Sequence, residues 1–490
     1  MFEAAELGHK LEEDDHEREI PKLRAGLLQA QRDLVEAKVP LILVVSGADG
    51  AGKSETVNRL HEWFDPRGLQ TNVFGPLTEE EKDRPPFWRF WMALPGRGRV
   101  GIFFGSWYTD PIIRRVYGKS GGGEFDRSLT RIEFFEQELA LDGALIVKVW
   151  LHLSKKAQKR RLKKLSRDSK TRWRVSSIDW KHFGLYDSFV KYSEEAVQRT
   201  DTALAPWTVI EATDDRYREV AVGRVILAAM KKRLLEKKIS APAIKAAPLS
   251  EDVISVLDRV DLKQKVSAKD YESKLARLQG KLNRLAHAAW EKKISSVLVF
   301  EGWDAAGKGG AVRRLTSAMD ARLYRVVPIA APTDEERAHQ YLWRFWRHIP
   351  RAGRVTIFDR SWYGRVLVER VEGFAREDEW KRAFLEINDF EDQLVAHGTS
   401  VTKFWVHISK DEQLRRFKER QKTEFKQYKI TDEDWRNRKR WEAYETAVND
   451  MAVRTGRRDA PWVLVAGNDK RFARIQIIET VCRRLETALG

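Results

Sequence analysis

Residues from about Leu41 to Arg216 reappear at a constant offset of 255, from about Ser296 to Arg471. Gly47-Ala-Asp-Gly-Ala-Gly-Lys53 stands against Gly302-Trp-Asp-Ala-Ala-Gly-Lys308, and Trp88-Arg89-Phe90-Trp91 against Trp343-Arg344-Phe345-Trp346. Ser106-Trp107-Tyr108 returns as Ser361-Trp362-Tyr363, and His152, Asp179-Trp180 and Pro206-Trp207 return as His407, Asp434-Trp435 and Pro461-Trp462. Matches that stay in step over such a length require duplication of a whole domain, since solenoid repeats recur every ~20–50 residues. At 490 residues, each copy is long enough to bury its own core. The domains are placed at 1–240 and 255–490. The boundary falls in Lys237 to Pro248, where Pro242 and Pro248 discourage helix.

A single cysteine, Cys482, excludes an intrachain disulfide framework and a cysteine-based zinc site. The acid-rich Met1 to Glu19 lacks the apolar stretch of a signal peptide, and no other run reaches the length of a membrane span. Cytoplasm, without a membrane partner, is the expectation. Lys and Arg number 90 against 73 Asp and Glu, a net charge of +17. Such an excess suits a polyanion: nucleic acid, an acidic membrane surface or a phosphate chain. Composition does not choose among them, and a basic surface kept for solubility explains charge alone equally well.

In each copy an apolar run precedes a glycine-rich turn, Leu41 to Val45 before Gly47 and Val297 to Phe300 before Gly302. Three further apolar runs follow in register: Arg99 to Phe103 with Arg354 to Phe358, Ala144 to Leu151 with Ser400 to Ile408, and Trp207 to Ile210 with Trp462 to Val465. Short apolar strands separated by amphipathic helix-length stretches predict an α/β fold, a parallel sheet covered by helices on both faces. Ligands in such sheets bind beyond the carboxyl ends of the strands. A helical lead-in is expected before each copy, Glu17 to Lys38 and Tyr271 to Lys293. In the second, Leu275, Leu278, Leu282 and Leu285 form one apolar stripe that packs on the following domain.

Gly47 to Ser54 satisfies the phosphate-loop pattern of Gly, four residues, Gly-Lys-Ser/Thr in full. Glycines there free the backbone amides to point at phosphate oxygens, and Lys53 adds a full charge at a helix start. The second copy offers the same cradle in Gly302, Ala305, Ala306, Gly307 and Gly309, with Lys308, but puts Gly309 where a hydroxyl usually reaches magnesium. A metal there needs other ligands. Asp304 in the loop and Asp359 at the end of the next matched strand meet the preference of magnesium for one or two carboxylates. Arg360 and Arg365 beside Asp359 can brace transferring phosphoryl oxygens. In the first copy Asp359 has become Phe104, Arg360 has become Gly105 and Arg365 has become Asp110. Glu369 is a weaker candidate for a nucleotide or metal contact, a surface salt bridge explaining it nearly as well. Glu136 and Glu391, and the serine and aromatics common to both copies, read as framework.

From Ser409 to Lys439 the second copy is dense in cations, among them Arg416, Lys418, Arg420, Lys426 and Lys429. Arg416 and Arg420, one helical turn apart, are expected to line one face of a channel, in a lid that closes over phosphates and excludes water. The ordinary alternative is a solvated charged face. Lys155 to Arg174 is also basic, but Leu165 stands at the place of Arg420 and Thr171 at that of Lys426.

Trp303 to Gly310, followed by Phe358-Asp359-Arg360-Ser361-Trp362-Tyr363 and the basic stretch, resembles the polyphosphate kinase 2 family, and with the duplication the resemblance covers nearly the whole chain. It implies two tandem P-loop kinase-like domains, each a parallel sheet flanked by helices with a helical lid. It also implies magnesium, with manganese as a substitute, and transfer of phosphate between inorganic polyphosphate and nucleotides. Fused two-domain members resemble the subgroup that phosphorylates AMP to ADP. Carried onto this sequence, the catalytic set is Asp304, Lys308, Asp359 and Arg360, the metal ligands are Asp304 and Asp359, and Arg416, Lys418 and Arg420 are the lid cations. Gly364 stands where many relatives have asparagine. Catalysis is thus expected in the second half, with the first structural or regulatory. Two other readings stay open: ADP or GDP as acceptor, and a non-catalytic protein that binds polyphosphate or, less expected, nucleic acid. Homo-oligomerisation is left open too. An ATP-dependent monophosphate kinase is disfavoured, because the cation density exceeds what a triphosphate requires.

Overall fold

The computed structural model describes residues 1–236, 255–424 and 430–490. The stretch assigned to the linker, Lys237 to Pro248, lies outside the described residues, as do Lys426 and Lys429. The chain divides into two compact units. One comprises Met1–Pro76, Arg89–Ser240 and Asp334–Gln340, the other Leu77–Trp88, Ala241–Thr333 and Tyr341–Gly490. They depart from two clean halves only in the short segments Leu77–Trp88 and Asp334–Gln340.

The first unit is built on strands β1 (Leu41–Gly47), β2 (Leu69–Val73), β3 (Val100–Phe104), β4 (Leu145–His152) and β5 (Trp207–Glu211), in the spatial order β2-β3-β1-β4-β5. The second has β6 (Ser296–Gly302), β7 (Tyr324–Pro328), β8 (Val355–Asp359), β9 (Ser400–His407) and β10 (Trp462–Ala466), in the matching order β7-β8-β6-β9-β10. All pairings are parallel. The central strands are buried on both faces, which is why they read as unbroken apolar runs instead of alternating ones.

Helices flank both sheets. Asp215–Leu235 packs on β4 and β5, and Lys470–Leu489 packs on β9 and β10. The lead-in helices are Glu13–Glu36 and Ala268–Glu291, and each lies along the last helix of its own unit. Leu278 and Leu282 are buried and Leu275 and Leu285 partly so, as the stripe required. No described helix is long and apolar enough to cross a membrane.

The basic stretch of the second unit forms two helices, Lys410–Lys422 and Asp432–Lys439. Asp434 closes a capping box with Thr431 at the start of the second, and Asp179 does the same with Ser176 in the first unit. These two matched aspartates are helix starts.

Candidate active site

The loop after β6 is shaped by close backbone approach. Gly302 has φ +143°, and a Cβ there would stand 2.5 Å from the carbonyl oxygen of Val406. No other residue fits. Gly47 meets Leu151 in the same way in the first unit. Gly307 and Gly52, both left-handed, then start the helices Lys308–Thr316 and Lys53–Trp63. Lys308 Nζ donates to the carbonyls of Gly302 at 2.6 Å and Trp303 at 3.4 Å.

Register fixes the acidic corner. Phe300 of β6 pairs with Asp359 of β8, so Asp359 ends its strand beside the root of the loop. At the equivalent register Val45 pairs with Phe104. Asp304 accepts hydrogen bonds from Arg360 Nη2 at 3.3 Å and Asn437 Nδ2 at 3.0 Å. Among the described residues no side chain donates to the Asp359 carboxylate, which leaves it available to a cation. Asp304, Asp359 and Lys308 line one cavity of about 610 Å³ together with Arg313, Arg360, Arg420 and Arg474. Two carboxylates among cations in an open cavity suit a hard divalent ion whose remaining ligands are phosphate oxygens and water. In the first unit the counterparts of Arg313, Arg420 and Arg474 are Asn58, Leu165 and Glu219, and Glu219 is paired to Arg59 at 3.1 Å.

The first unit's loop aspartate is held differently. Burial alone would raise the Asp49 carboxyl, but a 2.7 Å hydrogen bond with His182 and the charge of Lys53 outweigh it and hold the group at about 2. His182 occupies the position of Asn437, so each unit orients its loop aspartate from the same helix with a different donor.

Two backbone positions carry strain in the second unit alone. Ala305 has φ +63° and Arg360 φ +66°, where the first unit has Gly50 and Gly105 at +79° and +70°. Left-handed geometry costs a side chain about 1–2 kcal/mol, and such positions persist where function holds them. Arg360→Gly is therefore expected to keep or raise the melting temperature while lowering turnover by about a hundredfold. A calorimetric scan and a rate assay on the same sample check both halves of that statement.

Several candidates from the sequence sit elsewhere. Arg416 is buried, and all five of its N–H groups are engaged, with Glu412 and the carbonyls of Ala305, Ala306, Gly467 and Asn468. It holds the loop from behind and has no donor left for a phosphoryl group. Lys418 is exposed and does not line the cavity of the two aspartates. Arg365 and Glu369 pair with each other at 3.2 Å, and Arg365 also approaches Glu379 at 3.9 Å. The arginine expected to brace phosphoryl oxygens and the glutamate expected at the nucleotide thus form an ion pair with one another. Arg420 does line the cavity.

Three residues were missed. Glu301 is buried beside the loop, accepts a 2.8 Å hydrogen bond from Ser361 Oγ, and is pushed up by burial against the pull of Lys308. Its counterpart Ser46, an uncharged residue at the end of an apolar run, was the available signal. Asn437 could have been found by its mismatch with His182. Trp303 stacks on Trp441 with ring centroids 3.6 Å apart and donates to His407 Nδ1 at 3.0 Å. Burial pushes His407 down to about 4, which keeps that nitrogen free to accept.

The model of the family described as Polyphosphate kinase 2 matches residues 10–238 and 265–489. A Pseudomonas aeruginosa protein named polyphosphate:AMP phosphotransferase is 50% identical over 491 residues, covering 100% of this chain and 99% of that protein. A protein of the same name from Acinetobacter johnsonii is 37% identical, over 95% of this chain and 96% of its own length. A crystal structure described as a polyphosphate kinase 2 from Pseudomonas aeruginosa superposes with a TM-score of 0.91 at 48% identity, covering 100% of this chain and 99% of that one.

Proposed function

The chain belongs to the polyphosphate kinase 2 family, and from that premise we propose that it transfers a phosphoryl group from inorganic polyphosphate to AMP, giving ADP, at the loop of its second half. The full-length relatives named for AMP support the acceptor. The observation that carries the choice of half is the cavity in which Asp304 and Asp359 stand among Lys308, Arg360 and Arg420. A divalent cation, magnesium in this reading, would be held by Asp304 and Asp359. Bound there, it would neutralise charge on the phosphate oxygens.

The protein's own part is positioning and electrostatics, as phosphoryl transfer demands little covalent work. Lys308 exchanges its loop carbonyls for phosphate oxygens. Arg360, tied to Asp304, faces the migrating group, and Asn437 keeps the Asp304 carboxylate turned into the cavity. Arg416 and Glu301 stay behind the loop and fix its shape.

The direct test is purified protein with AMP, polyphosphate and magnesium, scored for ADP. ADP or GDP outpacing AMP as acceptor would move the activity to triphosphate synthesis. ATP replacing polyphosphate at equal rate would make it an ordinary monophosphate kinase, and binding without turnover would leave a polyanion-binding protein. Because a polyphosphate chain is held by charge without a sequence to read, its apparent KM is expected to rise severalfold between low and physiological salt, while that for AMP changes less. Parallel titrations in potassium chloride check this.

A further inference from the structure

The helices Lys155–Arg167 and Lys410–Lys422 stand at matched positions, yet they carry charge differently. The second mixes its cations with Asp411, Glu412 and Glu419. There Arg415 is held by Glu412 at 2.7 Å and by Glu419 at 3.4 Å, and Arg416 is held by Glu412. In the first, Lys156, Ala157 and Lys164 take the places of those three acids, so 13 residues hold eight cations and no carboxylate.

Two of the eight are paired, Lys155 with Asp187 at 2.6 Å and Arg161 with Asp215 at 2.9 Å. The other six, Lys156, Lys159, Arg160, Lys163, Lys164 and Arg167, are exposed and form no ion pair among the described residues. They recur at three-to-four spacing, so they share one face of the helix over about 16 Å. With Asp168 they line an open groove of about 660 Å³, and the Asp168 carboxylate accepts from the backbone N–H of Lys170 at 2.9 Å. Ala157, Gln158 and Leu162 form the buried side of the helix, and none of the six cations lines the cavity around Lys53. Like charges one turn apart weaken a helix, and lysines in its first turn oppose the helix dipole. No carboxylate of this helix offsets that repulsion, which an extended anion laid along the stripe would remove.

We propose that this stripe on the first half binds the body of a long inorganic polyphosphate chain, apart from the loop that takes the reacting end. An unbranched polyanion repeats its charge at every link, and a row of lysines and arginines without counter-charges of its own meets it in any register. Among the described residues no aromatic ring lines the groove, whereas single-stranded nucleic acids are held by stacking their bases on rings. A membrane-surface helix turns its apolar residues outward, and here Ala157 and Leu162 are buried. Because both halves are one chain, a donor held by the stripe is kept at raised effective concentration for the second half. The inference rests on polyphosphate as the donor and gives the half without the acidic corner a part in holding it.

Lys156→Asp with Lys164→Glu tests it in the full-length protein. The double change gives the helix the acids found at those positions in the second half, so it is expected to melt no lower than the wild type. Equilibrium dialysis against labelled long-chain polyphosphate, with AMP absent, is expected to show roughly tenfold weaker binding. In ADP formation the KM for the long chain should rise by a similar factor, with kcat level. Lys10→Asp with Lys231→Glu, exposed positions on other segments of the same unit, lowers the net charge equally and should change neither reading. Unchanged affinity or unchanged KM in the stripe variant, or an equal loss in the control, overturns the proposal. So does a single-stranded oligonucleotide that binds the wild type more tightly than polyphosphate and loses more on the stripe change. Binding that falls in the stripe variant, in a protein that makes no ADP from polyphosphate, would sink the reaction and leave the stripe standing. Should the double variant fail to fold, Lys159→Gln with Lys163→Gln decides: roughly threefold weaker binding is expected, and unchanged affinity rejects the proposal.

Discussion

Asp359→Ala is expected to lower ADP formation by about a thousandfold, the scale of loss when a preorganised charge is removed from a reacting centre. Asp49→Ala, in the half with the fuller phosphate-loop pattern, is expected to leave the rate unchanged. The contrast follows from what surrounds each loop. The Asp359 carboxylate receives no side-chain hydrogen bond among the described residues and shares its cavity with Asp304 and several cations. Asp49 is tied to His182 and Lys53, and faces Phe104 where the second carboxylate would stand. Asp359→Asn, which keeps the shape, should lose nearly as much, since charge and not volume is removed. Steady-state rates of the three variants check this, and full activity in Asp359→Ala with loss in Asp49→Ala would assign the reaction to the wrong half.

Lys403→Met is expected to destabilise the protein by about 3–5 kcal/mol, the range for breaking one side of a buried ion pair. Lys403 and Glu391 are both 0% exposed and 2.7 Å apart. Glu391 also accepts from Trp362 Nε1 at 3.1 Å and Tyr363 Oη at 2.7 Å, and Lys403 donates to Tyr363 Oη and the Thr455 carbonyl. Burial pushes Lys403 below its ordinary value against the pull of Glu391, so the pair holds its charges only while both are present. Removing the ammonium leaves a carboxylate with no compensation in the core. Denaturant titration should show the loss, and the double change Lys403→Met with Glu391→Gln should return part of it. Glu136, Lys148, Tyr108 and Trp107 repeat the same network in the first unit, so Lys148→Met should cost a similar amount. A network present in both halves, with and without the charged cavity, is framework: it pins the turn after β3 and β8 to the long helix that follows, Gly122–Leu141 or Glu377–Ala396, and to β4 or β9.

Much of this fold is legible in the sequence. Constant spacing demanded two equal sheets, and the glycine loops and strand-end aspartate followed from pattern and register. Side-chain destinations were harder. Spacing put Arg416 and Arg420 on one face of a helix, but how that helix rolls against Gly467 and the loop carbonyls is a tertiary matter, and it buried the first while leaving the second at the cavity. The Arg365–Glu369 pair, four residues apart on adjoining turns, could have been anticipated as an ion pair. Glu301 was hidden because a buried carboxylate at the end of an apolar strand gives no periodic signal.

The left-handed Arg360 also makes the two copies unequal as hosts for each other's residues. Glycine rests in that conformation freely while arginine is strained there, so Arg360→Gly relaxes the second half whereas Gly105→Arg loads the first with strain and with a side chain that has no partner aspartate at the Phe104 position. Grafting the charged corner onto the first half therefore takes both residues together.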